Sequence, residues 1–367
     1  MTLTGRRSAA SPGAAAKPDA TSATSAWYRT KSRRNLLVVL GLAALLVACA
    51  CADFLIGSGA LSASEAVDTL VHPGAARAID HQIVFDIRLP MTVTAVLIGG
   101  ALAAAGAEMQ TILGNPLAEP YTLGISAAAS FGAALVTVTG FAATSLGAAL
   151  GMAGSAWAFA VLACAVILVF SRLRGSGAES MILLGIAIVF LFDALLALMQ
   201  YVASEMQLQQ VVFWTMGSLT RASWSQIALL AAITACCLAL FYRHSWTLTA
   251  FRMGDDRARA LGVNVDRSRA LALVGVSLMA ATAVSMAGTI GFIGLIGPHV
   301  ARILVGEDQR YFLSASTLAG AVLLTGASMV SKLIQPGVIL PVGIITAIVG
   351  VPVFMVIIMS NRKRNWH

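Results

Sequence analysis

Three carboxylates, Glu108, Glu119 and Asp193, interrupt otherwise apolar stretches of the chain. Charge at membrane depth is costly, so an acid retained there has a functional reading by default. Glu108 reads either as a group on a solute path or as a structural acid with a partner. Glu119 reads as a brace for a broken helix. Glu108 with Asp193 is the one ionisable pair that an ion-coupled carrier could use. Enzyme constellations are missing: the sequence has no GxxxxGK[ST] phosphate loop and no HExxH. The histidines His72, His81, His244, His299 and His367 are scattered, and His299, after Pro298, reads as a helix-end residue. All five cysteines (Cys49, Cys51, Cys164, Cys236, Cys237) sit in apolar runs without metal-ligand spacing. No catalytic residue, bound metal or directly bound cofactor is expected.

A second group of charges has a different character. In FRMGDDRARALGVNVDRSRAL, Phe251–Leu271, Gly254 precedes Asp255 and Asp256, which suit a helix N-terminus. Arg257, Ala258, Arg259, Ala260 and Leu261 favour helix, and Gly262 suits a C-terminal cap. The result is a helix of about two turns with small alanines on one side. A solvated loop has no need of such capping, whereas a helix seated in a partner's groove does.

The elements that must hold these residues are membrane helices. Of 367 residues, 58% are hydrophobic and only 11% charged, against about 25% charged in soluble domains. Asn35–Gly57 is the first run long enough to cross a bilayer. Residues 1–34, carrying Arg6, Arg7, Lys17, Arg29, Lys31, Arg33 and Arg34 against the single acid Asp19, read as a disordered basic cytoplasmic tail. Leu46-Val47-Ala48-Cys49 looks like a lipoprotein cleavage box, but the basic lead before it is long for a signal peptide, and no processing is expected.

Nine further runs, near 90–110, 121–140, 145–170, 181–203, 226–242, 270–290, 291–305, 311–331 and 341–360, bring the expected count to ten. The division between 270–290 and 291–305 falls at Gly288, and the second piece is short and partly re-entrant. Ten crossings place 20 of the 24 Lys/Arg on the cytoplasmic side, leaving Arg77, Arg88, Arg221 and Lys332 outside. That asymmetry satisfies the positive-inside rule and explains the net charge of +8 without nucleic acid. The expected organisation is an all-α membrane domain over 35–361 with its coupling segment near 251–269, and a cytoplasmic tail at 362–367.

The tract Arg88–Leu135 is apolar yet broken by Asn115-Pro116. Broken backbone at membrane depth survives only where it is buried in protein or lines a wet cavity. Residues 90–118 and 272–298 share a loose pattern of small residues, a Met-containing middle and a terminal Gly-Asn-Pro or Ile-Gly-Pro, as an inverted repeat would.

The motifs RLP at 88–90, GAEMQ at 106–110, NPLAEPYTLGIS at 115–126, GTIGFIGLIGPHVAR at 288–302 and LPVGIITAIVGVPVF at 340–354 resemble the permease family of ABC importers for iron–siderophore, haem and cobalamin. The resemblance spans about 35–360. It implies ten helices per subunit, a homodimer with the route on its axis, and multi-pass placement in the bacterial plasma (inner) membrane with both termini cytoplasmic. Two cytoplasmic ATP-binding subunits would use ATP and Mg, and an extracytoplasmic binding protein would deliver cargo. An iron–siderophore is the default cargo, with haem next and cobalamin third.

The same resemblance assigns residues. Gly254–Gly262 corresponds to the helix that sits in the ATPase cleft. Asn115 and Leu117 correspond to the inner gate, with a second constriction around Ala178, Glu179 and Ser180. Arg88 and Lys332 match outward basic positions that dock the binding protein, although Met91 and Ile339 depart from the charges usual nearby. The fifth span lines the route, which brings Asp193, Met199, Gln200, Phe213 and Trp214 to it, with Glu108 as a further pathway candidate. A carrier driven by an ion gradient is the rival from another class, and an intramembrane enzyme lacks any motif.

Overall fold

The computed structural model describes residues 20–57, 61–141, 144–174, 178–335 and 337–362, and among them every regular element is helical. In chain order these are α1 (Ala20–Leu55), α2 (Ala63–Val71), α3 (Ala78–Gln82), α4 (Leu89–Leu113), α5 (Ile125–Val138), α6 (Ser145–Arg174), α7 (Ala178–Val202) and α8 (Glu205–Thr215). Then come α9 (Trp224–Arg243), α10 (Ser245–Phe251), α11 (Asp255–Ala260), α12 (Val265–Ala287), α13 (Ile293–Val305), α14 (Gln309–Leu333) and α15 (Val342–Arg362). A wide helical turn, Ile83–Arg88, joins α3 to α4, and a 3₁₀ turn, Pro120–Leu123, precedes α5.

Seven described helical stretches are long and apolar enough to cross a membrane, and three shorter apolar ones, Ile125–Val138, Ile293–Val305 and Val342–Val356, accompany them. Burial sorts the long ones. α4 and α12 are enclosed along most of their length, while few residues of α1 are fully buried in the single chain. Lipid is as apolar as leucine, so helices in it associate through close packing of small residues. α4 shows this directly. A Cβ at Gly99 would strike the backbone of Gly320 on α14, and one at Gly106 would overlap the carbonyl of Gly294 on α13.

Contacts define two ends of the bundle. At one, Asn35 Nδ2 donates to the Val305 carbonyl at 3.0 Å, Ser32 Oγ meets Tyr311 Oη at 2.5 Å, and Tyr242 Oη meets Ser314 Oγ at 2.6 Å. At the other, Thr92 Oγ1 donates to Asp53 at 2.5 Å, Trp224 Nε1 to the Phe85 carbonyl at 3.0 Å, and Thr289 Oγ1 to the Thr215 carbonyl at 2.5 Å. The basic 243–269 segment belongs to the first end, and Arg88, Arg221 and Lys332 belong to the second.

Two spans are interrupted. α12 stops at Gly288 (φ 78°), residues 288–292 run without helix, and α13 supplies only 13 residues, about 20 Å at 1.5 Å per residue. α5 is similarly short. Its leading turn packs on α7, since a Cβ at Gly185 would meet Thr122 and Leu123, and one at Gly124 would meet Ile188. Ile188 lies ten residues into α7, so the segment 114–124 climbs about 15 Å into the bundle.

One boundary differs from expectation. Residues 20–34, read from sequence as disordered tail, continue α1 as helix. Adding residues to an existing helix avoids the cost of nucleation, and Ser32 and Asn35 fasten this extension to α14 and α13. Residues 1–19 and the basic cluster after Arg362 lie outside the described residues.

Candidate coupling and gating site

α11 is built as its residues dictate. Gly254 (φ 91°) turns the chain into it, Asp255 and Asp256 occupy its first turn, and Ala258 is wholly buried. At the far end the Gly262 N–H donates to the Arg259 carbonyl at 2.9 Å and the Val263 N–H to the Ala258 carbonyl at 3.1 Å. With Gly262 at φ 82° this is a Schellman closure. Asp256, Arg257, Arg259, Ala260 and Leu261 are exposed, so α11 rests on the bundle through Ala258 and offers its other side outward.

Beneath it lies Arg269, in the second turn of α12 and among the largest fully buried side chains. Its Nη2 donates to Asp255 Oδ1 at 2.7 Å and its Nε to the Ile112 carbonyl at 2.9 Å. The Phe251 ring lies 5.4 Å from the guanidinium carbon. Sequence reasoning missed Arg269. As one cation in a basic segment it carried no signal of burial.

A second cluster ties the same segment to α13 and α14. Arg252 pairs with Glu307 at 3.1 Å, Glu307 with Arg302 at 3.0 Å, and Arg302 donates to Gln110 on α4 at 2.9 Å. Both guanidiniums stack on Phe312, at 4.6 and 5.3 Å. Burial lowers the pKa of Arg252 from the ordinary arginine value, with Glu307 opposing the shift. Arg252 also donates to Gln309, and Gln309 Nε2 donates to Glu108. Glu108 is therefore enclosed and hydrogen-bonded, which favours the structural-acid reading over the pathway one. Asp193 is exposed on α7, and no hydrogen bond or ion pair among the described residues joins it to Glu108.

The gate candidates occupy helix ends. Gly114 (φ 58°) closes α4, and Asn115 Oδ1 then accepts from the Leu117 N–H at 2.9 Å, a local Asx turn that leaves Leu117 48% exposed. Ala178, half-buried against the core, with exposed Glu179 and Ser180, forms the first turn of α7. Between the two interrupted spans, Glu119 accepts from the Phe292 N–H, and Phe292 is the one described non-glycine residue at positive φ (69°). The expected brace is thus a link between both breaks.

At the opposite end, Phe213 is half-exposed and Trp214 buried, and both line a cleft of about 300 Å³ with Met152, Gln210, Arg221 and Met286. Met199 and Gln200 are half-buried on the last turns of α7. Arg88 and Lys332, expected to face outward, do not. Arg88 is 4% exposed and donates to the Leu61 carbonyl at 2.6 Å. Lys332 Nζ lies 2.8 Å from Asp53 Oδ1 and donates to the Asp53 carbonyl at 2.8 Å. For Lys332 the physical reason is Asp53, an acid near the end of an apolar helix, which demands a buried counter-ion, and for Arg88 it is the carbonyls of Leu55 and Leu61. Its isolation in the first apolar run was the available signal.

Long apolar helices, small-residue seams and two interrupted spans beside a capped, outward-facing helix define a polytopic permease. Comparison with known proteins gives the family: residues 45–360 match the FecCD transport family, and the chain belongs to it. The hemin transport system permease HmuU of Yersinia pestis is 34% identical over 76% of this chain and 84% of its own length. The molybdate import permease MolB of Haemophilus influenzae is 31% identical over 89% and 96%. A solved metal-chelate type ABC transporter in an inward-facing conformation superposes with a TM-score of 0.76 at 30% identity, covering 88% of this chain and 99% of that one. The protein is therefore a multi-pass membrane permease of an ABC importer.

Proposed function

We propose that the chain carries a ferric chelate inward by alternating access. It would act as a homodimer in the plasma membrane, with both termini on the cytoplasmic face beside the basic 243–269 segment. In this reading two ATP-binding subunits hold α11 and consume ATP and Mg, and an extracytoplasmic binding protein delivers cargo to the opposite end. The observation that carries it is α11, capped at both termini, seated through Asp255 and Ala258 and exposed elsewhere. A helix so rigid and so little buried is suited to being pushed by a partner.

The cleft at the opposite end mixes Met and aromatic surface with Gln210, Gln226 and Arg221. Such a lining suits a large amphipathic chelate that must be held loosely. Asn115–Leu117 and the first turn of α7 are the candidate constrictions. Arg88 and Lys332 are not proposed again as docking residues, because their charges are spent internally. The ion-coupled rival loses its candidate pair, with Glu108 enclosed in a network and Asp193 apart from it.

Reconstitution with the cognate ATPase and binding protein tests the reading. ATP-dependent uptake of a labelled ferric siderophore, exceeding that of haem, cobalamin and molybdate, is expected. Uptake by the chain alone on an ion gradient would refute the ATP-driven assignment, and preference for haem would move the cargo.

A further inference from the structure

The inner end of α4 is joined to α11 by one buried cation. The last four carbonyls of a helix have no intrahelical donor. Here the Gln110 carbonyl takes the Asn115 N–H and the Thr111 carbonyl the Gly114 N–H. The Ile112 carbonyl takes Arg269 Nε at 2.9 Å. The same guanidinium holds Asp255, the first residue of α11, at 2.7 Å. The Arg269 side chain is 2% exposed, and a charge so enclosed is tolerated only when firmly paired. Two residues beyond Ile112 the chain leaves α4 at Gly114, whose left-handed conformation starts the turn to Asn115 and Leu117.

We propose that Arg269 is a positioning residue that transmits displacement of α11 to the end of α4 and so sets the Gly114–Leu117 turn. The inference rests on the reading of α11 as the helix the ATPase grips. Asp255 belongs to the element that is pushed, and Ile112 to the element whose end must move. A rigid planar fork between them conveys translation where a flexible ammonium would not. The parallel connection through Arg252, Glu307, Arg302 and Gln110 is longer, and Glu307 is 57% exposed. Exposed pairs contribute little, so Arg269 dominates.

The experiment uses the assembled transporter in liposomes. Arg269→Lys keeps one bond at a time, and Asp255→Asn weakens only the α11 side at a partly exposed position. In Arg269→Lys the ATPase is expected to co-purify and to hydrolyse ATP within about twofold of wild type, and in both variants cargo moved per ATP falls at least about tenfold. Glu307→Gln is expected to leave that ratio within about twofold of wild type. Fluorophores on single cysteines replacing Arg257 and Leu117 supply a second readout. In Arg269→Lys the ATP-driven signal at 257 persists and that at 117 disappears. An unchanged ratio with an unchanged signal at 117 would overturn the proposal. So would parallel loss of hydrolysis and transport in Arg269→Lys, which would mean Arg269 only holds the fold. If instead a chain lacking Gly254–Gly262 still binds the ATPase, the reading of α11 itself has failed.

Discussion

Replacing Lys332 with methionine separates a structural role from a docking role. The side chain is 2% exposed and its partner Asp53 is 0% exposed. At 2.8 Å and an effective dielectric near 20, the attraction is about 6 kcal/mol. Removing two ions from water costs several kcal/mol each, so the intact pair is close to neutral against an apolar replacement. Removing one partner is different, because Asp53 is left charged, with only Thr92 Oγ1 at 2.5 Å as compensation. Loss of about 3–5 kcal/mol follows for Lys332→Met alone, and Asp53→Leu with Lys332→Met should recover most of it. The assay is reversible unfolding in mixed micelles across the four-member cycle, with binding-protein capture measured on the folded fraction. Wild-type stability in Lys332→Met together with weakened capture would refute the reasoning and restore the outward role.

Three further outcomes follow from the geometry. Gly106→Val should separate α4 from the Gly294 backbone on α13, costing about 1–3 kcal/mol or more and reducing folded yield in membranes, read by size-exclusion fluorescence. Gly262→Val places a branched residue at φ 82°, a penalty of about 1–2 kcal/mol, and should loosen α11 so that ATPase co-purification falls while insertion is unchanged. Glu108→Gln keeps an acceptor for Gln309, so ATP-dependent uptake should stay within about twofold of wild type; abolished uptake with intact folding would revive a proton-carrying role.

How much was legible in the sequence depends on whether the cause is local. Capping is local, and Gly254, Asp255 and Gly262 gave α11 to within a residue. Gly288 likewise marked the break before α13, where the chain leaves the helix at φ 78°. Burial of charge is not local. Arg88 and Lys332 are read from sequence as outward cations, yet Asp53 and the carbonyls of Leu55 and Leu61, distant along the chain, turn them inward. Glu108 could be placed only once Gln309, 201 residues away, was known to meet it. Phe213 and Trp214 both line the outer cleft, Phe213 half-exposed and Trp214 buried, because adjacent helix positions point in different directions.

The unwound stretch 288–292 also dictates a sequence of events in biogenesis. Gly343 abuts the carbonyls of Thr289 and Met216, and Gly350 admits the Phe292 ring where any side chain would collide with it. Both glycines are on α15, which is synthesised after α12 and α13. The central break cannot reach its final form before α15 has been made, and until then α12 and α13 are an unfinished pair. Quality control that recognises such a pair would therefore act on chains truncated before residue 342, however completely their earlier helices had inserted.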